Sequence, residues 1–185
     1  MTRLRMSRLA VLALFMMLGT AVQAGDAPTG SASAAAWDIS LVPDHEPGRP
    51  FVIEGRVIGL PDSLPIRDAV LYVYQTDARG HYSLDGVGKQ RLSGTLHTNV
   101  GGGFRIRTIL PGLAEGSPHL HYRLSGPGIA TRTATLSLFR DRGAGYDTTY
   151  EQLPWLLEKS TNTSLSVEPD TEGGFTGRWI LRVHH

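Results

Sequence analysis

Two histidines carry the first chemical signal in this chain of 185 residues. His119 and His121 stand two apart, with Leu120 between them. Side chains two apart on a strand share a face. Both imidazoles therefore point one way and Leu120 points the other. Two imidazoles side by side at the mouth of a sheet can clamp a transition metal. Arg123 lies two residues beyond His121 and shares the same face, where it could bring positive charge to a bound anion. The chain has no cysteine. A metal site must then draw on His, Tyr, Asp or Glu, which speaks against zinc-thiolate and iron-sulfur chemistry.

The elements that must position these residues read as strands. Arg107-Thr108-Ile109-Leu110-Pro111-Gly112 is the end of one strand and a tight Pro-Gly loop ahead of the histidines. Strands are expected over Phe51–Val57, Ala69–Tyr74, Phe104–Ile109, His119–Leu124, Thr131–Phe139, Ser164–Val167 and Phe175–Val183, each rich in β-branched or aromatic residues. Trp37–Leu41 begins the packed region. One short helix is expected over Tyr150–Lys159, which Pro154 interrupts unless it sits in the first turn. Short strands between Gly/Pro turns, without a βαβ rhythm, indicate an all-β protein, an antiparallel β-sandwich.

The first residues read as a leader and not as part of the fold. Arg3, Arg5 and Arg8 precede an apolar run, Leu9–Leu18, and Val22-Gln23-Ala24 sets small residues at a cleavage point. This is the pattern of a secretory signal peptide over residues 1–24, so the protein is expected to be exported, periplasmic or secreted. The apolar run is shorter than the ~20 residues of a membrane span, and no span is expected after signal removal. Residues 25–36 form a small-residue linker, and residues 37–185 form one domain. The leader holds three of the 18 basic residues and no acid, which leaves 15 bases against 17 acids. That balance offers no basic stripe for nucleic acid. The oligomeric state is open.

Three separated blocks together resemble the intradiol ring-cleavage dioxygenases. Gly55-Arg56-Val57 is followed by Pro65-Ile66-Arg67-Asp68-Ala69, a strand, and Tyr74-Gln75-Thr76-Asp77-Ala78-Arg79-Gly80-His81-Tyr82. Arg107-Thr108-Ile109-Leu110-Pro111-Gly112 precedes His119-x-His121, and Ser125-Gly126-Pro127-Gly128 follows. The resemblance implies a β-sandwich of the intradiol dioxygenase core type. It implies a mononuclear non-haem Fe(III) held by two tyrosines and two histidines. Tyr82 matches the first tyrosine, and His119 and His121 match the histidines. The implied substrates are a catechol-like small molecule and O2, and the implied product is a muconate-type diacid.

The sequence departs from that pattern in places. Leu113 and Ala114 stand where the second tyrosine follows the Pro-Gly, Gly116 and Ser117 where an arginine precedes the histidines, and Leu136 at the position read as the family's glutamine. Tyr146 or Tyr150 could replace the lost tyrosine; otherwise activity is weakened or lost. A His₂Tyr set could also suit Cu(II). Arg123 could supply the missing positive charge. The rival reading is a non-catalytic exported binding module, with or without a metal, because the opening block also resembles transthyretin-like sandwiches. No Gly-x-Ser-x-Gly elbow, His-Glu-x-x-His, phosphate loop or dinucleotide motif is present.

Overall fold

A computed structural model of the chain describes residues 36–83, 89–114, 117–140 and 162–184. The leader, Tyr146, Tyr150 and the helix expected over 150–159 lie outside the described residues. Among the described residues there are nine strands and no helix. They are β1 (Asp38–Ser40), β2 (Pro50–Leu60), β3 (Val70–Gln75), β4 (Leu92–His97), β5 (Gly103–Ile109), β6 (His119–Gly126), β7 (Ile129–Arg140), β8 (Ser164–Pro169) and β9 (Phe175–His184). No helix there is long and apolar enough to cross a membrane.

All nine join one sheet in the order β1-β5-β2-β9-β8-β7-β6-β3-β4. The all-β expectation holds, but the wholly antiparallel arrangement is corrected. The pairs β1–β5, β2–β9 and β7–β8 are parallel. The sheet curls until its two ends meet: the His97 N–H at the end of β4 donates to the Ala36 carbonyl ahead of β1 at 3.1 Å.

Curling buries one face of each strand from β2 to β9. Alternation along β2, β3 and β9 puts Phe51, Ile53, Val57, Leu71, Val73, Trp179 and Leu181 wholly inside. Trp179 meets Phe104 of β5 edge-on at 5.7 Å and Tyr122 of β6 edge-on at 4.9 Å. One ring on β9 thus ties strands from both arms of the sheet. Gly55 makes room for this cluster, since a Cβ there would sit 2.1 Å from the Phe104 ring.

Two strands were not anticipated as such. β1 has three residues, too few to show a period. β4 carries Gly94 on the packed side, where a Cβ would meet Ile39 and Leu41 at 2.8 and 2.9 Å. The apolar group for that position comes from β1 and the residue after it, so β4 alone shows no strand pattern.

Candidate metal centre

The site stands where β6 begins. Leu120, Tyr122 and Leu124 are buried in the core, and His119, His121 and Arg123 face the other way. His121 lies between Tyr74 of β3 and Thr135 of β7, its partners in register.

Tyr82 comes from the loop after β3. Two sequence blocks meet to deliver it. Buried Gln75 accepts a hydrogen bond from the Thr108 hydroxyl at 2.9 Å and donates to the Ile109 carbonyl at 2.9 Å. The Gly112 N–H donates to the Asp77 carbonyl at 2.8 Å. Gly80 sits so close to the Pro-Gly loop that a Cβ on it would lie 2.3 Å from the Leu113 carbonyl oxygen. The Gln-to-Tyr block and the Arg-to-Gly block are therefore one packed unit.

This unit brings three donor atoms together. Tyr82 Oη lies 3.0 Å from His119 Nε2 and 2.9 Å from His121 Nε2, and the two nitrogens are 3.2 Å apart. Two donors each about 2.1 Å from one ion and at right angles to one another would be about 3.0 Å apart. Sides of this length are compatible with three donors that would hold one transition ion.

The far sides of the rings favour the same use. His119 Nδ1–H donates to the Ser117 carbonyl at 2.8 Å. That bond leaves the lone pair on Nε2, toward Tyr82. His121 Nδ1 lies 3.2 Å from Thr135 Oγ1, and donation to that oxygen gives the same tautomer. Metal-ligating histidines are held in this way. Tyr74 stacks on His121 at 4.7 Å and 18°. His119 is buried, whereas His121 and Tyr82 are half-buried, so the triangle opens toward solvent on one side. Among the described residues no three of His, Cys, Asp or Glu converge; the third donor here is a phenol.

The other expected residues fall differently. Arg123 is exposed on the same face, opposite Tyr72 and Thr133 and about 7 Å of strand beyond His121. It is not part of the triangle. Leu113 is exposed and Ala114 pairs with Ser117, and neither side chain carries a donor atom. Leu136 is buried opposite Leu120. Thr135, and not Leu136, takes the place beside His121. Alternation along β7 could have found it, because Thr135 and Leu136 must face opposite ways.

Asp77 shapes the loop that ends in Tyr82. One carboxylate oxygen accepts the Arg79 N–H at 2.8 Å and the His81 N–H at 3.0 Å. Burial pushes its carboxyl up, but those two amides and the charges of His81 and Arg91 outweigh burial and hold it below the usual carboxylate value. Arg91 binds both oxygens of Glu46, and that bond raises its already high pKa.

No family model matches the chain. Over 161 residues it is 28% identical to catechol 1,2-dioxygenase 1 of Acinetobacter lwoffii, an alignment spanning 72% of this chain and 51% of the relative. It is 30% identical over 105 residues to 6-chlorohydroxyquinol 1,2-dioxygenase of Cupriavidus pinatubonensis, spanning 45% of this chain and 38% of that one. The chain thus spans about half or less of these curated relatives. Among solved structures, the dioxygenase domain of a dioxygenase carbohydrate-binding protein fusion from Streptomyces sp. SirexAA-E superposes with a TM-score of 0.58 at 26% identity. That match covers 78% of this chain and 86% of the domain. These relatives do not favour the non-catalytic module. Taken with the two blocks that meet at Tyr82, they make the chain similar in sequence and in fold to intradiol ring-cleavage dioxygenases.

Proposed function

We propose that this chain holds Fe(III) through Tyr82, His119 and His121 and cleaves a catechol-like diol between its two oxygenated carbons, consuming O2 and yielding a muconate-type diacid. The observation that carries this reading is the Tyr82–His119–His121 triangle, with sides of 2.9 to 3.2 Å. A phenolate is a hard anionic donor, which favours the trivalent ion over softer ones. Bound there, the ion would supply Lewis acidity and a template for a chelating diolate.

The chain's own residues would do the rest. Ser117 and Thr135 fix the two rings so that both Nε2 atoms face inward. The Tyr74 ring keeps His121 from tilting. Arg123, exposed further along the same face, would draw an anionic diolate toward the open side.

The test is iron loading followed by addition of catechol. A visible tyrosinate-to-iron band, O2 uptake and a diacid product are expected. Loss of iron on desalting, with no band, would overturn the metal site. A coloured protein that leaves catechol and O2 unconsumed would overturn the reaction alone.

We also infer export, from Arg3, Arg5 and Arg8 ahead of Leu9–Leu18 and Ala24, with residues 37–185 acting as one domain. N-terminal sequencing of the mature protein should begin at Gly25. A protein beginning at the leader and retained in the cytoplasm would contradict this.

A further inference from the structure

His119 and His121 are fixed by the hydrogen bonding of β6 to β3 and β7. Tyr82 lies in the loop between β3 and β4. Two contacts grip that loop on either side of the ring. On one side the grip is the Pro-Gly turn, where Gly112 approaches so closely that a Cβ would lie 2.5 Å from the Gly80 nitrogen and 2.6 Å from the Ala78 carbonyl oxygen. On the other side stands Arg91. Its N–H donates to the Tyr82 carbonyl at 2.9 Å. Its guanidinium holds both oxygens of Glu46, whose side chain is only 6% exposed. The same guanidinium lies 3.6 Å from Asp77, the residue that caps the turn leading to Tyr82.

We propose that Arg91, clamped by Glu46, is the positioning residue that holds Tyr82 against the two histidines. The proposal rests on the reading of Tyr82 as an iron ligand. A largely buried Arg–Glu pair is a poor source of net stability, because desolvation of both charges offsets their attraction. What it supplies is geometry: a bidentate pair fixes the guanidinium plane, and lysine cannot reproduce that fork. Glu46 sits in the loop before β2, Asp77 after β3 and Arg91 before β4. The loop before β2 and both ends of the loop between β3 and β4 are thus locked at the backbone of one tyrosine.

The test uses the full mature chain carrying Arg91→Lys, Glu46→Gln or, as comparison, Arg107→Lys. The last makes the same exchange of guanidinium for ammonium in an ion pair between β5 and β1 (Arg107–Asp38, 2.8 Å). Iron affinity and the tyrosinate-to-iron band are read beside thermal melting. Arg91→Lys and Glu46→Gln should lower Fe(III) affinity by about tenfold or more and shift or bleach the band, and Arg107→Lys should leave both unchanged. If Arg91→Lys does not fold, Glu46→Gln decides, since it keeps Arg91 beside Asp77. A wild-type band and affinity in a folded Arg91→Lys or Glu46→Gln protein would overturn the positioning role while leaving Tyr82 as a ligand. A wild-type protein that takes up no iron would overturn both.

Discussion

The phenol oxygen of Tyr82 stands 2.9 Å from Nε2 of His121, 39 residues further along the chain. Neither residue can be moved alone. His121 is locked in β6, and Tyr82 is locked by the loop pressed on Leu113. Tyr82→Phe keeps the ring and its edge contact with Tyr74 at 6.0 Å, and loses only the oxygen. The protein should therefore melt within about 1 kcal/mol of wild type. The visible band of the iron-loaded protein should vanish, because the phenolate that gives rise to it is gone. Absorption spectra beside a thermal melt check both halves. A band that survives would assign the colour to another tyrosine.

Thr135 is the partner of the outer nitrogen of His121. Thr135→Val keeps the shape and removes the oxygen. His121 then loses what fixes its ring and tautomer, and Fe(III) affinity should drop about 10- to 100-fold, with little change in the fold. Competition against a chelator of known affinity measures this. Equal affinities would show that the Tyr74 stack alone is enough to hold the ring.

How far the sequence reached follows from where each signal sits. β3 and β6 were legible because their alternation is strict: Leu71 and Val73 inward, Tyr72 and Tyr74 outward, and Leu120 opposed to His121. The His pair followed from that alternation, and Tyr82 from the wider resemblance. β4 was hidden because Ile39 and Leu41 supply the bulk that Gly94 lacks. Parallel pairing of β2 with β9 was hidden because a strand's own pattern does not state its partner's direction. The Arg91–Glu46 clamp joins residues 45 apart in separate loops, where no period exists to be read. Thr135 carries no motif of its own, and only the register of β7 against β6 sets it beside His121.

Gly80 joins the two sequence blocks at their closest point. It has a φ of +87° and faces the Leu113 carbonyl. Gly80→Ala meets both obstacles, a left-handed backbone and a carbonyl oxygen 2.3 Å from the new Cβ. A loss of about 1–3 kcal/mol is expected. The loop can also escape by lifting Tyr82 away from the histidines. Denaturant unfolding and iron binding should therefore fall together. A destabilised variant with full iron affinity would separate the Gly80 contact from the placement of Tyr82.

Asp77 gives the fold an acid limit. Its carboxyl titrates below the usual value in the folded chain, because the His81 and Arg79 amides and the nearby positive charges outweigh burial. A group whose folded pKa is depressed contributes stability that is present above its unfolded value of about 3.9 and is lost as pH falls through the lower, folded value. Unfolding should therefore become easier from about pH 4 downward. Asp77→Asn keeps an oxygen for the two amides but discards the charge that faces Arg91 at 3.6 Å. It should lower stability at pH 7 by about 1–2 kcal/mol and flatten the acid limb of the profile. Chemical denaturation of both proteins between pH 3 and 7 checks the sign. Parallel profiles would mean that other carboxylates set the acid limit.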